Sequence, residues 1–457
     1  MLKEKVKAFV NKHKDEIIST LIELVKIPSV STDRENCEKM LLAVKELYQK
    51  YGFETKEGDE FLLSYYGNGE EEIGLFAHGD VVEGGDGWLI TNPFEPKIYN
   101  GAIVGRGAWD DKSAIVCSLY ALIALKELEI PLDKKMLCFT GFNEENGMTD
   151  IKNYLKSYTP PHFSIVLDAG FPVYIGDKGK SWVKVRSQRK LNQITKLGGG
   201  KMINITLGNA EARVKYTSEL YNSLVETDRV KISKQDDEII ISSSGISAHG
   251  ANPEGAINGA YLIAEALKNA NGLDQSDKEI IKNLSELLKS PYGEVVGLEN
   301  NDPVFGKLTM TNGITNIEDG KLAFTFDLRY GKEVKAKEML EKLEKELSAR
   351  GFDLEIINSD DAYALDKDNK YLKEYIDAYK DYTGETEIPV KISAGSTYAK
   401  VIGNACEIGT RYNGTWLDLP NGHGFAHQPD ENTSVEGLLN ALEIIIYSVI
   451  KLVGKKY

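Results

Sequence analysis

The sequence predicts an α/β protein interrupted by an inserted α+β domain, and three observations predict it. Short apolar runs, Ile73-Gly-Leu-Phe-Ala77, Lys135-Met-Leu-Cys-Phe-Thr-Gly-Phe142 and Ser164-Ile-Val-Leu167, are near-continuous, as in strands covered on both faces. Amphipathic helical patterns alternate with them. From about residue 179 to 360 the texture shifts to short alternating strands, such as Ser181–Val185, Glu238–Ser242 and Leu322–Asp327, with helical stretches near 255–271 and 335–349. The expected division is one domain of 1–178 with 361–457 around an insert of 179–360. At 457 residues the chain is long for one compact domain.

The elements follow in order. Val6, Phe9, Val10, Ile17, Leu21 and Val25 recur at helical spacing over 2–26. Ile27-Pro-Ser-Val-Ser-Thr32 breaks that helix. Asp33 caps a second one, which runs to about Tyr51 and closes at Gly52. Phe61–Tyr66 is a strand and Gly67-Asn-Gly69 a turn. The run Ile73–Ala77 then delivers His78 and Asp80, whose side chains leave an extended segment on the same side. Trp109-Asp-Asp-Lys-Ser113 opens an apolar helix over Ala114–Leu128, with Asp110 and Asp111 where the helix dipole favours carboxylates. The other two core runs end at Asn143-Glu-Glu-Asn-Gly147 and at Asp168. Later come Ser247-Ala-His-Gly-Ala251, a helix over Lys370–Thr383, the small-residue turn Ala394–Lys400, Gly422-His-Gly-Phe-Ala-His-Gln-Pro-Asp-Glu431 and a long closing helix. Gly198-Gly-Gly200 is expected to be a turn.

Three core strands thus carry His78 and Asp80, Glu144 and Glu145, and Asp168 at their carboxyl ends, the edge where open α/β sheets bind ligands. Taken singly these residues would be caps or solvated turns. Together they predict a metal site. The net charge of −15 argues against nucleic acid and anionic membrane as partners, and fits carboxylates gathered for cations. Cys37, Cys117, Cys138 and Cys406 are scattered, without a Cys-x-x-Cys pair, as expected of reduced thiols in a cytoplasmic protein. Neither a signal peptide nor a run of about 18 apolar residues is visible.

His78-Gly-Asp-Val-Val82, Gly105-Arg-Gly-Ala-Trp-Asp-Asp-Lys112, Asn143-Glu-Glu-Asn-Gly147, Leu167-Asp-Ala-Gly-Phe-Pro172 and His427-Gln-Pro-Asp-Glu431 span most of the chain. In order and spacing they resemble the metallopeptidase family of aminoacylases, glutamate carboxypeptidases, succinyl-diaminopimelate desuccinylases and bacterial dipeptidases. Asp168, Phe171-Pro172 and Gly176-Asp-Lys-Gly179 are most similar to its PepV-type dipeptidase branch. The resemblance implies a zinc-peptidase-like catalytic domain, with a mixed sheet flanked by helices, and an inserted α+β lid. It implies two divalent metal ions, one held by His78 and Asp168, the other by Glu145 and His427, with Asp110 bridging. Zinc is expected first, with manganese or cobalt as alternatives. Glu144 would be the general acid/base and Asp80 would orient His78. A cis bond would follow Asp110. His249 would contact the carbonyl oxygen, Arg329 the substrate carboxylate, and Asn204 the substrate by position.

The implied reaction is hydrolysis of dipeptides with a free amino terminus by a monomer in which His249 acts in cis. N-acyl amino acid deacylation or carboxypeptidase activity on the same metal core is the alternative. Asp168 speaks against it, because that branch more often has Glu there. A non-catalytic peptide-binding relative is a third reading, opposed by Glu144 and the complete ligand set. His423 could replace His427 as ligand, but Asp430-Glu431 follows at the family spacing from His427. His13 and His162 are expected to be solvated. Glu83, Asn204-Ile-Thr-Leu207 and Ala394-Gly-Ser-Thr-Tyr-Ala-Lys400 depart from the family pattern, and they touch substrate contacts, Asn204 and Lys400 above all, while leaving the metal set intact.

Overall fold

The computed structural model describes residues 2–455. The chain divides into two compact units, Met1–Asp177 with Ala364–Tyr457, and Lys178–Tyr363.

The first unit is built on a mixed sheet. Its strands run in the order Glu54–Gly58, Phe61–Tyr66, Lys135–Gly141, Glu72–His78, Phe163–Val166, Ala405–Glu407 and Val173–Asp177. Glu72–His78 is parallel to both of its neighbours, with His78 opposite Gly141 and Phe76 opposite Val166. This register brings the carboxyl ends of the three strands to one edge. All three are buried along nearly their whole length, which is why their sequences are apolar runs rather than alternating ones. Each boundary differs from the expected one by a residue or so. His78 is itself the last residue of its strand.

Helices cover this sheet. Lys112–Glu127 is buried from Lys112 to Leu125 and packs on Glu72–His78 and on the helices Leu2–Val25 and Val435–Val453. Being surrounded, it reads as apolar all round. Asp33 caps Arg34–Lys50 by accepting the Asn36 N–H. Lys370–Thr383 is a helix with the expected bounds. The turn expected over Ala394–Lys400 includes the start of a short helix, Tyr398–Ile402. A small sheet pairs Asn432–Ser434 with Ala102–Val104 and that strand with Lys97–Tyr99. Gly141 has a specific reason to be glycine. A Cβ there would lie 2.1 Å from Asp150 Oδ2 and 2.2 Å from the Tyr398 hydroxyl, and Asp150 accepts the Asn143 N–H at 2.8 Å, shaping the turn that carries Glu144 and Glu145.

The second unit holds two four-stranded sheets. One runs Ile194–Gly198, Asn209–Lys215, Glu238–Ser244, Val230–Gln235, and the other Thr309–Glu318, Lys321–Tyr330, Gly179–Ser187, Phe352–Asp360. The helical stretch expected near 255–271 is the helix Gly259–Lys268, and a second helix, Gln275–Leu288, packs beside it. Periodicity alone did not separate the second helix. Asp274, which accepts the N–H groups of Ser276 and Asp277, is its cap. Gly198-Gly-Gly200 is a strand end rather than a free turn. A Cβ on any of the three would lie 1.9–2.5 Å from a backbone carbonyl oxygen of Thr315, Asn209 or Gly313.

One surface expectation is corrected. His13 is buried, with Nδ1 3.1 Å from Glu16 and Nε2 3.1 Å from Glu127, so an imidazole on a charged helix joins that helix to its neighbour. His162 is exposed, as expected.

Candidate active site

At the edge where the parallel strands end, the first unit gathers two sets of ligand-type atoms that share Asp110. His78, Asp110 and Asp168 form one and Asp110, Glu145 and His427 the other, with the atoms of each set within 4.8 Å of one another. His78 Nε2 is 3.2 Å from Asp110 Oδ1 and 3.9 Å from Asp168 Oδ2. His427 Nε2 is 2.8 Å from Glu145 Oε1 and 3.1 Å from Asp110 Oδ2. The peptide bond between Asp110 and Asp111 is cis.

The tautomer of His78 follows from its surroundings. Its Nδ1 lies 2.9 Å from the backbone oxygen of Asp80, which can only accept, so Nδ1 carries the proton. In the neutral form that binds a metal, Nε2 is then the lone-pair nitrogen. It is buried and has no hydrogen-bond partner, although two carboxylate oxygens face it. A lone pair facing anionic oxygens is what a cation-binding site presents, so these residues fit a divalent metal. The electrostatics agree. Hydrogen bonding to Asp110 and Glu145 pushes His427 up to about 11. Burial disfavours charge on His78, yet the carboxylates of Asp110 and Asp80 hold its pKa well above the usual imidazole range. The cluster is short of positive charge. Burial also raises Glu144 and Asp168 well above the carboxylate range; His78 opposes this, and neighbouring carboxylates add to it. Glu144 Oε1 is buried and makes no hydrogen bond.

The Asp80 side chain has a task beyond the expected one of orienting His78. The backbone carbonyl of Asp80 makes the close contact with His78, while its carboxylate oxygen Oδ1 stands 3.4 Å from Nδ1. That carboxylate accepts the N–H of Glu144 and the N–H of Glu145, both at 3.1 Å, and the Ser31 hydroxyl at 2.8 Å. Asp80 therefore clamps the backbone that carries both glutamates. Glu431 does the same for Asp110. Its Oε1 accepts the N–H groups of Gly107, Trp109 and Asp110, and Oε2 lies 2.6 Å from Arg106 Nη1. Asp430 accepts the N–H groups of Leu89 and Ile90 and binds His423 Nδ1 at 2.7 Å. His423 thus braces the loop, and His427 is the histidine that converges on Asp110 and Glu145. In the sequence Ser31, Arg106, Asp430 and Glu431 are only motif letters or turn residues. A serine two positions before a cap and an Asp-Glu pair carry no signal of their own.

Three further residues belong to the second unit. His249 is exposed as a whole although neighbouring atoms partly desolvate its ring, and its Nδ1 accepts the Ala251 N–H at 3.2 Å, which leaves Nε2–H as a donor. Burial and the nearby Arg329 lower its pKa, against the pull of Asp327, so the ring is neutral near pH 7. Asn204 accepts the Gly250 N–H through its backbone oxygen at 2.8 Å, beside the bridge between Ile205 and His249. Arg329 Nε lies 2.7 Å from buried Asp327.

The sequence pattern of Peptidase family M20/M25/M40 matches residues 74–451. The chain belongs to this family. It is a metal-dependent hydrolase of peptide bonds, and the match takes in all five residues of the two ligand sets. A Staphylococcus haemolyticus protein named "Putative dipeptidase" is 25% identical over 480 residues, covering 99% of each chain. Human carnosine dipeptidase 1 shares the fold at 16% identity and a TM-score of 0.58, covering 99% of both chains. A Bacillus subtilis protein described as a dinuclear metal binding peptidase of the M20 family aligns with a TM-score of 0.54 at 12% identity, over 97% of this chain and 98% of the other. No helix among the described residues is long and apolar enough to cross a membrane.

The Arg106–Glu431 pair in this M20 peptidase is fully buried. Arg106→Met leaves a carboxylate buried without its counter-ion and should lower stability by about 3–5 kcal/mol. Urea denaturation of chelator-treated protein measures this. A loss below about 1 kcal/mol, the scale of a solvent-screened pair, would contradict it.

Proposed function

We propose that this M20 peptidase is a dipeptidase that cleaves dipeptides with a free amino terminus, using two divalent metal ions, zinc first and manganese or cobalt as alternatives. The observation that carries this is the pair of ligand sets sharing Asp110 beside Glu144, one of whose carboxylate oxygens is buried and makes no hydrogen bond. The relative named as a dipeptidase over its full length supports the substrate class. His78 and Asp168 would hold one ion, Glu145 and His427 the other, and Asp110 both. When bound, the metals supply Lewis acidity that lowers the pKa of a water to about 7 and polarises the scissile carbonyl.

The chain's own residues do the rest. Glu144, raised by burial and like charges, takes a proton from the attacking water at its carboxylate and returns it to the leaving amine. The Asp80 carboxylate, through the N–H groups of Glu144 and Glu145, keeps the proton carrier and a ligand in fixed relation. His249 presents Nε2–H to the carbonyl oxygen as it gains charge. Arg329 takes the substrate carboxylate, with Asp327 fixing the plane of its guanidinium. Asn204 assists through the loop that carries His249. N-acyl amino acid deacylation or carboxypeptidase action on the same core is the second reading, and Asp168 is the residue that disfavours it. The protein is proposed to work in the cytoplasm, with neither nucleic acid nor membrane as a partner.

Glu144→Gln should abolish turnover with both metals retained, whereas Glu145→Gln should weaken one site. Metal analysis after gel filtration separates the two, and equal metal loss would refute the assignment. On a substrate panel, unmodified dipeptides should be cleaved far better than tripeptides, acetylated dipeptides or acetylated amino acids. Preferred release of acetate from the last would favour the deacylase reading.

The two four-stranded sheets in Lys178–Tyr363 support a lid that is complete within one chain, so we infer a monomer with His249 acting in cis. His249→Ala should lower kcat about 10²–10³-fold, the usual effect of losing one oxyanion donor, with metal content unchanged. Mixing inactive Glu144→Gln and His249→Ala chains should restore nothing, and recovered activity would mean that sites are shared between chains.

A further inference from the structure

An aromatic cluster stands beside the ligand sets, and the chemistry above does not use it. Trp109 immediately precedes Asp110. Its ring centroid lies 5.6 Å from that of Trp416 and 6.0 Å from that of Phe425, and Trp416 and Phe425 are 5.2 Å apart. These are the separations of mutually packed rings. Yet Trp416 is 52% exposed and Phe425 50%. Single exposed apolar residues are ordinary, but contiguous exposed rings beside a cleft mark a binding surface.

The cluster is held in place. The Arg411 guanidinium stacks on Trp416 with its central carbon 3.3 Å from the ring centroid, and it lies 5.7 Å from that of Trp109. Arg411 is itself buried. Its Nη2 donates to the Thr415 carbonyl, while Nε and Nη1 have no hydrogen-bond partner. A planar cation sandwiched in this way fixes the indole's orientation at little entropic cost.

Of the three rings, Trp109 lines a cavity of about 200 Å³, while Trp416 and Phe425 line a separate one of about 230 Å³. The apolar lining of the first includes Trp109, Leu167, Ala169 and Ala426, the last adjoining Phe425, and its acidic lining includes the metal-set residues Asp110 and Asp168. A peptide whose scissile group sits at those carboxylates would have a side chain within reach of Trp109, on which the other two rings pack. We propose that Trp109, Trp416 and Phe425 form an apolar subsite that selects dipeptides carrying an aromatic side chain, with Arg411 as the positioning residue for the Trp416 ring. The subsite deepens the proposed dipeptidase function and rests on it for turnover, though not for binding.

The test uses metal-loaded Glu144→Gln protein and follows tryptophan fluorescence, since two of the chain's four tryptophans belong to the cluster. Ala-Ala, Phe-Ala and Ala-Phe are titrated separately. One phenylalanine dipeptide should bind at least about tenfold more tightly than Ala-Ala, as burial of an aromatic side chain predicts. That preference should fall below about threefold when Trp416→Ala or Phe425→Ala is added. Both residues are half-exposed, so the variants should fold, and metal content and near-ultraviolet circular dichroism check that they do. Arg411→Lys should weaken the preference less than Trp416→Ala does.

Equal affinity for the three dipeptides overturns the proposal, and so does a preference that survives both substitutions. So does a concentration-dependent dimer that Trp416→Ala abolishes, since the patch would then belong to a second copy of the chain. If the unsubstituted enzyme cleaves none of the three while the binding preference holds, the subsite stands and the dipeptidase reading fails.

Discussion

The structure depends on keeping several carboxylates together in one partly buried place. Asp80, Asp110, Asp111, Glu144, Glu145 and Asp168 all reach the same sheet edge. Like charges this close raise one another's pKa, and burial adds to it. Asp111, Glu144 and Asp168 are all pushed well above the carboxylate range, by burial first and by neighbouring carboxylates as well. The chain answers in two ways. Some carboxylates are given backbone N–H donors. Asp80 receives those of Glu144 and Glu145, Asp111 that of His78, and Glu431 those of Gly107, Trp109 and Asp110. The others face imidazole nitrogens and one another, a concentration of negative charge that calls for cations. The first group has become scaffold and the second is the candidate metal centre.

Topology makes the gathering possible. The parallel pairing of Glu72–His78 with Lys135–Gly141 and Phe163–Val166 places three strand ends side by side, so residues far apart in sequence emerge together. The remaining partners arrive through the small sheet. Asn432 pairs with Val104, and the Gly105 N–H donates to the Glu431 carbonyl at 2.9 Å. That seam ties the segment before Asp110 to the segment after His427. Shared Asp110 is therefore held from one side by Glu431, while its oxygens face His78 and His427 on the other.

Much of this was legible in the sequence. Buried strands read as apolar runs with His78, Glu144–Glu145 and Asp168 at their ends, whereas Asp110 and His427 enter the set only through the family resemblance. What could not be read depended on contacts across the chain. The division of labour within Asp80, carbonyl to His78 and carboxylate to the Glu144–Glu145 backbone, needs the turn's actual path. His423 and His427 lie four residues apart in one loop, and only Asp430, turning back on His423, shows which of them braces. His13 is buried although its sequence context is charged, because Glu127 of another helix closes over a face that reads as solvated. The Trp109–Trp416–Phe425 cluster joins residues about 300 positions apart, with no periodicity to announce it.

His78 and His249 show how little is needed to give one side chain opposite jobs. In His78 a backbone oxygen accepts from Nδ1, fixing the proton there and leaving the Nε2 lone pair among carboxylates. In His249 a backbone N–H donates to Nδ1, so the proton must reside on Nε2. One ring is left with a lone pair at Nε2 and the other with an N–H there, and in each a single main-chain contact makes the choice. The fields agree with the assignments. His78 lies among Asp80, Asp110 and Asp111, which favour a positive partner, whereas Arg329 and burial keep His249 neutral. An imidazolium at 249 would give up the Ala251 N–H bond, because a protonated Nδ1 cannot accept. The loop Ser247–Ala251, with its small residues, is thus a device for holding a tautomer, and the glycine and alanines flanking His249 let the backbone close around the ring to do it.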